Sequence, residues 1–236
     1  MRTAFALVAL VLPLAAQDLD FLNHNRPTVD AHNCYPYEGK FADRIDRALR
    51  TGFPVGIEQD VTWANGKPVV SHTPKTTGAE PTLREYFFER VRPIIEQALK
   101  ENDRARWPII VVHFDFKSLQ PELLHAVWDL LGEYEGWITT AVQTSDPHKL
   151  SPFDAKPLLV LTEEADAQEE VFFKAVPPGK KLRLFGSGHT LPVKAAQREE
   201  RNAKAIGLKA ARSKYEYTAS TLRSEMDFVK TWTVQS

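Results

Sequence analysis

The chain reads as an α/β protein with a parallel sheet, wound either as a (β/α) barrel or as a doubly wound layer. Two patterns predict this. Short apolar runs of strand length alternate with segments whose apolar residues recur at helical spacing. Turn and capping signals fall between them, where a strand would end or a helix begin. The composition agrees with one packed core, since the 236 residues are 43% hydrophobic and 26% charged.

The first strand is expected at Val29 to Asn33. Phe41, Ile45, Ala48 and Leu49 then follow helical spacing, and Gly52 stands where that helix would end. A second strand runs from about Val55 to Trp63, and Asn65-Gly66 is a tight-turn signal into a third at Pro68 to His72. Thr82-Leu-Arg-Glu85 is a capping box, opening a helix with Leu83, Phe87, Val91 and Ile95 on its apolar side. Pro93 should kink or split that helix. Gln120-Pro121 starts another, with Leu124, Val127, Trp128 and Leu131 on one stripe. Further strands are expected at Pro108 to Phe116, Trp137 to Val142, Pro157 to Thr162, Leu182 to Phe185 and Phe228 to Val234.

The N-terminus has a different character. Arg2 precedes the apolar run Ala4 to Ala16, which ends in small residues before Gln17. That is the layout of a secretory signal, and the run is short for a bilayer span. Residues 1–16 are therefore expected to direct export to the periplasm or the exterior, and residues 17–236 to form a single domain. A net charge of -1 gives no basic footprint for nucleic acid. Cys34 is the sole cysteine, so an intrachain disulfide is excluded. It reads as a small, partly buried residue after the first strand rather than a catalytic thiol.

Strand alternation decides where the chemistry points. Glu58, Asp60 and Thr62 share one face of the second strand, and His113, Asp115 and Lys117 share one face of a later strand. Phe114 and Phe116 take the opposite face, suited to packing under helices. Glu58, Asp60 and Asp115 converging on one point would repel one another without a cation. An all-oxygen set suits one Mg²⁺ or Ca²⁺ ion. His32 and His72 bracket Glu58-Gln-Asp60 and could serve as an acid/base pair, because imidazole titrates near neutrality. His113 reads as an outer residue, and His24, His125 and His148 as surface residues. Asp30 could orient His32 or bind backbone at the base of the strand, Trp232 could wall the substrate or pack in the core, and the 194–209 stretch reads as a solvated helix face. Gly186-Ser-Gly-His189 reads as a turn that could also approach a phosphate through its backbone.

From His32 through Glu58-x-Asp60 to His72, the chain resembles the glycerophosphodiester phosphodiesterases and their relatives in the PLC-like phosphodiesterase superfamily. Gly66-Lys-Pro-Val-Val-Ser-His72 resembles the family's hairpin leading to a histidine. Phe114-Asp-Phe-Lys117 resembles its acidic-x-Lys strand, and Val229-Lys-Thr-Trp-Thr-Val234 a late strand with a Trp-Thr pair. The match is dense over residues 28–117 and thin over 118–227. It implies a TIM-like (β/α) barrel with one Mg²⁺ or Ca²⁺ held by Glu58, Asp60 and Asp115. His32 and His72 would be catalytic, and Asn33, Lys117 and Trp232 would contact substrate. The implied reaction cleaves a small or phospholipid-derived phosphodiester, with peripheral lipid contact compatible with such a substrate.

Two departures bear on this. Asn33 stands where glycerophosphodiesterases carry Arg, which removes a bidentate phosphate contact and makes the site a His-Asn variant. About seven strands can be counted, so the barrel is expected to be incomplete at its C-terminal end unless a segment near residues 205–210 fills the gap or the chain is truncated. Two other functions stay open. One is a non-catalytic barrel binding a phospholipid head group. The other is a metal-dependent amidohydrolase, suggested by Asp30-Ala-His32.

Overall fold

The computed structural model describes residues 29–186 apart from 38, 40, 147–150 and 163–164. The N-terminal apolar run, the strand expected at 228–234, Trp232, His24, His148 and His189 lie outside the described residues. The elements in chain order are β1 (Val29–Ala31), α1 (Arg44–Arg50), β2 (Val55–Ala64), β3 (Lys67–Val70), a π-helical turn (Arg84–Phe88) running into α2 (Glu89–Glu101), and β4 (Ile110–Phe116). There follow α3 (Pro121–Glu133), β5 (Thr140–Val142), β6 (Phe153–Asp154), β7 (Leu158–Thr162), α4 (Asp166–Glu169) with a π-helical turn after it, β8 (Lys181–Leu182) and β9 (Phe185–Gly186).

The main sheet has the order β1-β2-β4-β7-β9, all parallel, with β3 antiparallel to β2. Its strands follow chain order without reversal. A doubly wound sheet reverses direction at a switch point, so this winding departs from that alternative. Among the described residues the sheet is open, with β1 and β9 at its edges, and no closed barrel is found.

Two expected strands divide differently. The 137–142 run begins as a short 3₁₀ turn, bridges Leu158 through Ile138, and then enters a second sheet, β6-β5-β8. The 182–185 run splits between β8, in that second sheet, and β9, beside β7. Both runs are too short and mixed in pattern to reveal from sequence which sheet takes their backbone bonds.

Local signals explain the rest. Asn65 and Gly66 both take positive φ, 51° and 72°, as a two-residue turn between Ala64 and Lys67 requires. Gly52, at φ 100°, follows the last turn of α1. Thr82 and Glu85 form the reciprocal capping box, with Glu85 N–H donating to Thr82 Oγ1 at 3.2 Å and Thr82 N–H to Glu85 Oε2 at 3.1 Å. The helix that follows changes from π to α bonding at Glu89 and then runs through Pro93 to Glu101, so the split expected at Pro93 does not occur. Among the described residues, no helix is long and apolar enough to cross a membrane.

The sheet's two faces differ. Ile57, Val61, Val112, Phe114, Phe116, Leu158 and Val160 pack in one cluster with Ile45, Ile95, Leu124 and Val127 of the helices. The alternate positions, Gly56, Glu58, Asp60, Val111, His113 and Asp115, occupy the other face. β1 approaches β2 closely where Asp30 pairs with Gly56. A Cβ at Gly56 would stand 2.6 Å from Asp30 Oδ1 and 3.3 Å from Asp30 Cα. Gly56→Ala should therefore push β1 outward and destabilise the protein by about 1–3 kcal/mol, read as a lower urea midpoint. An unchanged midpoint would mean that the strands do not approach this closely.

Candidate functional site

β2 has one edge fully taken by β4, from Val55 to Val61. Its other edge is shared. β1 pairs with Val55–Ile57, β3 pairs with Val61–Ala64, and Ser71 N–H reaches the Asp60 carbonyl at 3.1 Å. Glu58 and Gln59 lie in the gap between them. The segment leaving β1, His32 to Tyr37, fills that gap.

Asn33 makes the fit possible. It adopts φ 60°, a left-handed conformation that asparagine tolerates better than most residues. Its N–H donates to Glu58 Oε2 at 2.6 Å. Fully buried Gln59 donates from Nε2 to the Cys34 carbonyl at 2.9 Å, tying the segment to β2. Cys34 is completely buried, its Sγ donates to the Ala31 carbonyl at 3.0 Å, and burial pushes its thiol up to about 12. It is an inert packing residue.

The three predicted carboxylates come together. The parallel register sets Asp60 beside Asp115 and Glu58 beside His113. One oxygen from each of Glu58, Asp60 and Asp115 lies within 4.8 Å of the others. Lys117 stands over the pair, its Nζ 2.8 Å from Asp60 Oδ1 and also against Asp115 Oδ2. Asp60 is 0% exposed, and neither of its oxygens accepts a hydrogen bond of good geometry among the described residues, the contact with Lys117 being an ion pair only. A buried carboxylate with an orphaned oxygen, beside two more carboxylates, fits a hard cation. Ligand distances of about 2.0–2.6 Å accommodate oxygens spread this far. All three donors are oxygens, which suits Mg²⁺ or Ca²⁺.

The histidines reach this site differently. His32 is exposed and places Nε2 3.3 Å from Glu58 Oε2, while its Nδ1 lies 3.2 Å from Asn33 Nδ2. His72 leaves the end of β3, which borders the same gap, and its N–H donates to Tyr37 Oη at 2.8 Å. The His72 ring lies 5.3 Å from that of Tyr35, which stacks on Tyr37 at 4.4 Å. Among the described residues, His72 makes no hydrogen bond or ion pair with the three carboxylates.

Compared with models of known families, with curated proteins and with solved structures, the chain matches none. The site therefore has to be read from its own residues. Tyr35, Tyr37, Gln59 and Arg44, whose guanidinium donates to the His32 carbonyl, had not been singled out from the sequence. Tyr35-Pro-Tyr37 follows directly on His32-Asn-Cys34, so that pair had a signal in its position. Arg44 had none, being one of several arginines in and around α1. A cleft of about 510 Å³ lined by His125, Trp128, Glu135, Lys180 and Arg183 contains none of Glu58, Asp60 and Asp115.

Burial pushes the Glu58 carboxyl up to about 7, aided by Asp60 and Asp115 and opposed by the Asn33 N–H and Lys117. Burial also works against the Lys117 ammonium, but Asp115 and Asp60 outweigh it and hold the group above the ordinary lysine value. In the metal-free protein, Glu58 thus binds a proton more tightly folded than unfolded. Its contribution is most favourable below the ordinary carboxyl value of 4.5 and is lost as pH rises through about 7. Glu58→Gln should match wild type in thermal melts at pH 5 with chelator and exceed it by several degrees at pH 8. A difference that does not change with pH would contradict the burial argument.

Proposed function

We propose that this chain is a metal-dependent phosphodiesterase of the PLC-like superfamily, acting on a small or lipid-derived phosphodiester. The observation that carries the reading is the convergence of Glu58, Asp60 and Asp115 on one face of β2 and β4, with the segments bearing His32 and His72 bordering the same stretch of β2. The one-directional strand order supports the larger proposal that the described sheet is part of a TIM-like barrel, with its acidic face turned inward. Export through residues 1–16 belongs to the same reading.

Glu58, Asp60 and Asp115 would hold one Mg²⁺ or Ca²⁺. Bound there, the cation would supply charge neutralisation at the non-bridging phosphate oxygens. His32, whose ring nitrogens lie beside Glu58 and Asn33, would release one of these contacts to take the proton of the nucleophile, either water or a hydroxyl of the substrate. His72, exposed at the end of β3, would return a proton to the leaving oxygen. Tyr37 fixes the backbone at His72, and Tyr35 limits where its ring can lie. Lys117 adds positive charge near the phosphate. Trp232 is proposed as a substrate wall.

Hydrolysis of bis(p-nitrophenyl) phosphate and a panel of glycerophosphodiesters and lysophospholipids, with Mg²⁺ or Ca²⁺, tests the reading. Turnover is expected, is expected to vanish with chelator, and should fall by about 10²–10⁴-fold in His32→Ala. Folded, metal-loaded protein that turns over nothing while still binding head groups would instead support a non-catalytic barrel.

A further inference from the structure

Lys117 is fixed at its backbone, and its ammonium is held at the end of a flexible stem. Its N–H donates to the Val61 carbonyl at 2.8 Å, anchoring it to β2 just beyond the end of β4. Its ammonium reaches back into the acidic cluster, where it holds Asp60 Oδ1 at 2.8 Å and Asp115 Oδ2. Glu58 is occupied from the other side, by the Asn33 N–H at 2.6 Å and by His32 at 3.3 Å. The lysine side chain keeps 18% exposure, which leaves its flexible stem a way outward.

One ammonium shared between the Asp60 and Asp115 carboxylates leaves the cluster short of positive charge. A divalent cation would supply it, but needs the same Asp60 and Asp115 oxygens that the ammonium holds. Two cations at contact distance would repel strongly in so buried a place. Occupancy by one should therefore exclude the other.

We propose that Lys117 is the resident counter-ion of this cluster and that a divalent cation displaces it, so that its ammonium becomes available at the site's mouth only when the metal is in place. This rests on the metal-binding reading above. The consequence is an order of loading: without metal, Asp60 and Asp115 keep the lysine, and an anionic substrate loses both of its cationic contacts together.

The test uses the full chain stripped of metal, with Mg²⁺ or Ca²⁺ added alone and followed by calorimetry and thermal melts. Lys117→Met is expected to bind the cation at least about tenfold more tightly than wild type. Its metal-free melting temperature is expected to fall by about 5 °C or more and to recover with saturating metal. Lys117→Arg should keep the metal-free stability, because it keeps the charge. The double variant Asp60→Asn/Lys117→Met should recover most of the metal-free loss, which separates charge from packing and serves even if Lys117→Met alone fails to fold without metal. Equal or weaker binding by Lys117→Met, with unchanged metal-free melting, would overturn the proposal while leaving the metal site standing. Failure of both wild type and Lys117→Met to bind either cation would overturn the metal reading, and this proposal with it.

Discussion

Asp60 is a carboxylate in the interior of a strand, 0% exposed, placed by register directly beside Asp115. Such a pair is costly unless a cation accompanies it. Much of the local structure can be understood as the protein's answer to that cost. Lys117 leans in from the end of β4, burial and the neighbouring aspartates push the Glu58 carboxyl up to about 7, and the Asn33 N–H donates to Glu58 Oε2. The arrangement tolerates the charge without fully compensating it. Asp60 retains an oxygen with no partner among the described residues, which distinguishes this cluster from a closed structural ion network.

The placement of that charge follows from the winding of the sheet. Each parallel connection carries a helix to the same face, so Ile57, Val61, Phe114 and Phe116 meet helices; on the alternate face Val111 packs with Trp107, and Glu58, Asp60 and Asp115 lie further along the strands. β2 is longer than its neighbours, with ten residues from Val55 to Ala64. β1 therefore stops short of the site, and β3 returns along the same edge from the other end. The gap between them is where His32, Asn33 and the Tyr35–Tyr37 pair enter. A site placed there is exposed at its histidines, buried at Glu58 and Asp60, and half-buried at Asp115.

Legibility from the sequence varied with the range of the interaction that decides each feature. The Asn65-Gly66 turn, the Thr82–Glu85 capping box and the end of α1 at Gly52 are decided within a few residues, and each was read from them. The shared face of Glu58, Asp60 and Asp115 needed only strand alternation and a parallel pairing of β2 with β4. The fate of 137–142 and 182–185 was not legible, because which sheet a short run joins depends on partners distant in sequence. The same holds for Arg44 and Gln59, whose bonds to the His32–Cys34 segment are long-range contacts made by residue types common on surfaces. Asn33 shows a different limit. The sequence marks it as a lost phosphate contact, whereas its backbone conformation and its N–H bond to Glu58 emerge only in three dimensions.

The central claim is that Glu58, Asp60 and Asp115 form a site for one divalent cation. Its most direct test is a crystal structure of the protein soaked in Mn²⁺, which takes the octahedral oxygen sites of Mg²⁺ and can be located by anomalous scattering. The account predicts a single peak at about 2.0–2.6 Å from an oxygen of each carboxylate, with the Lys117 ammonium turned out of its place between Asp60 and Asp115. Absence of a peak at saturating Mn²⁺, with the ammonium still against both aspartates, would contradict it.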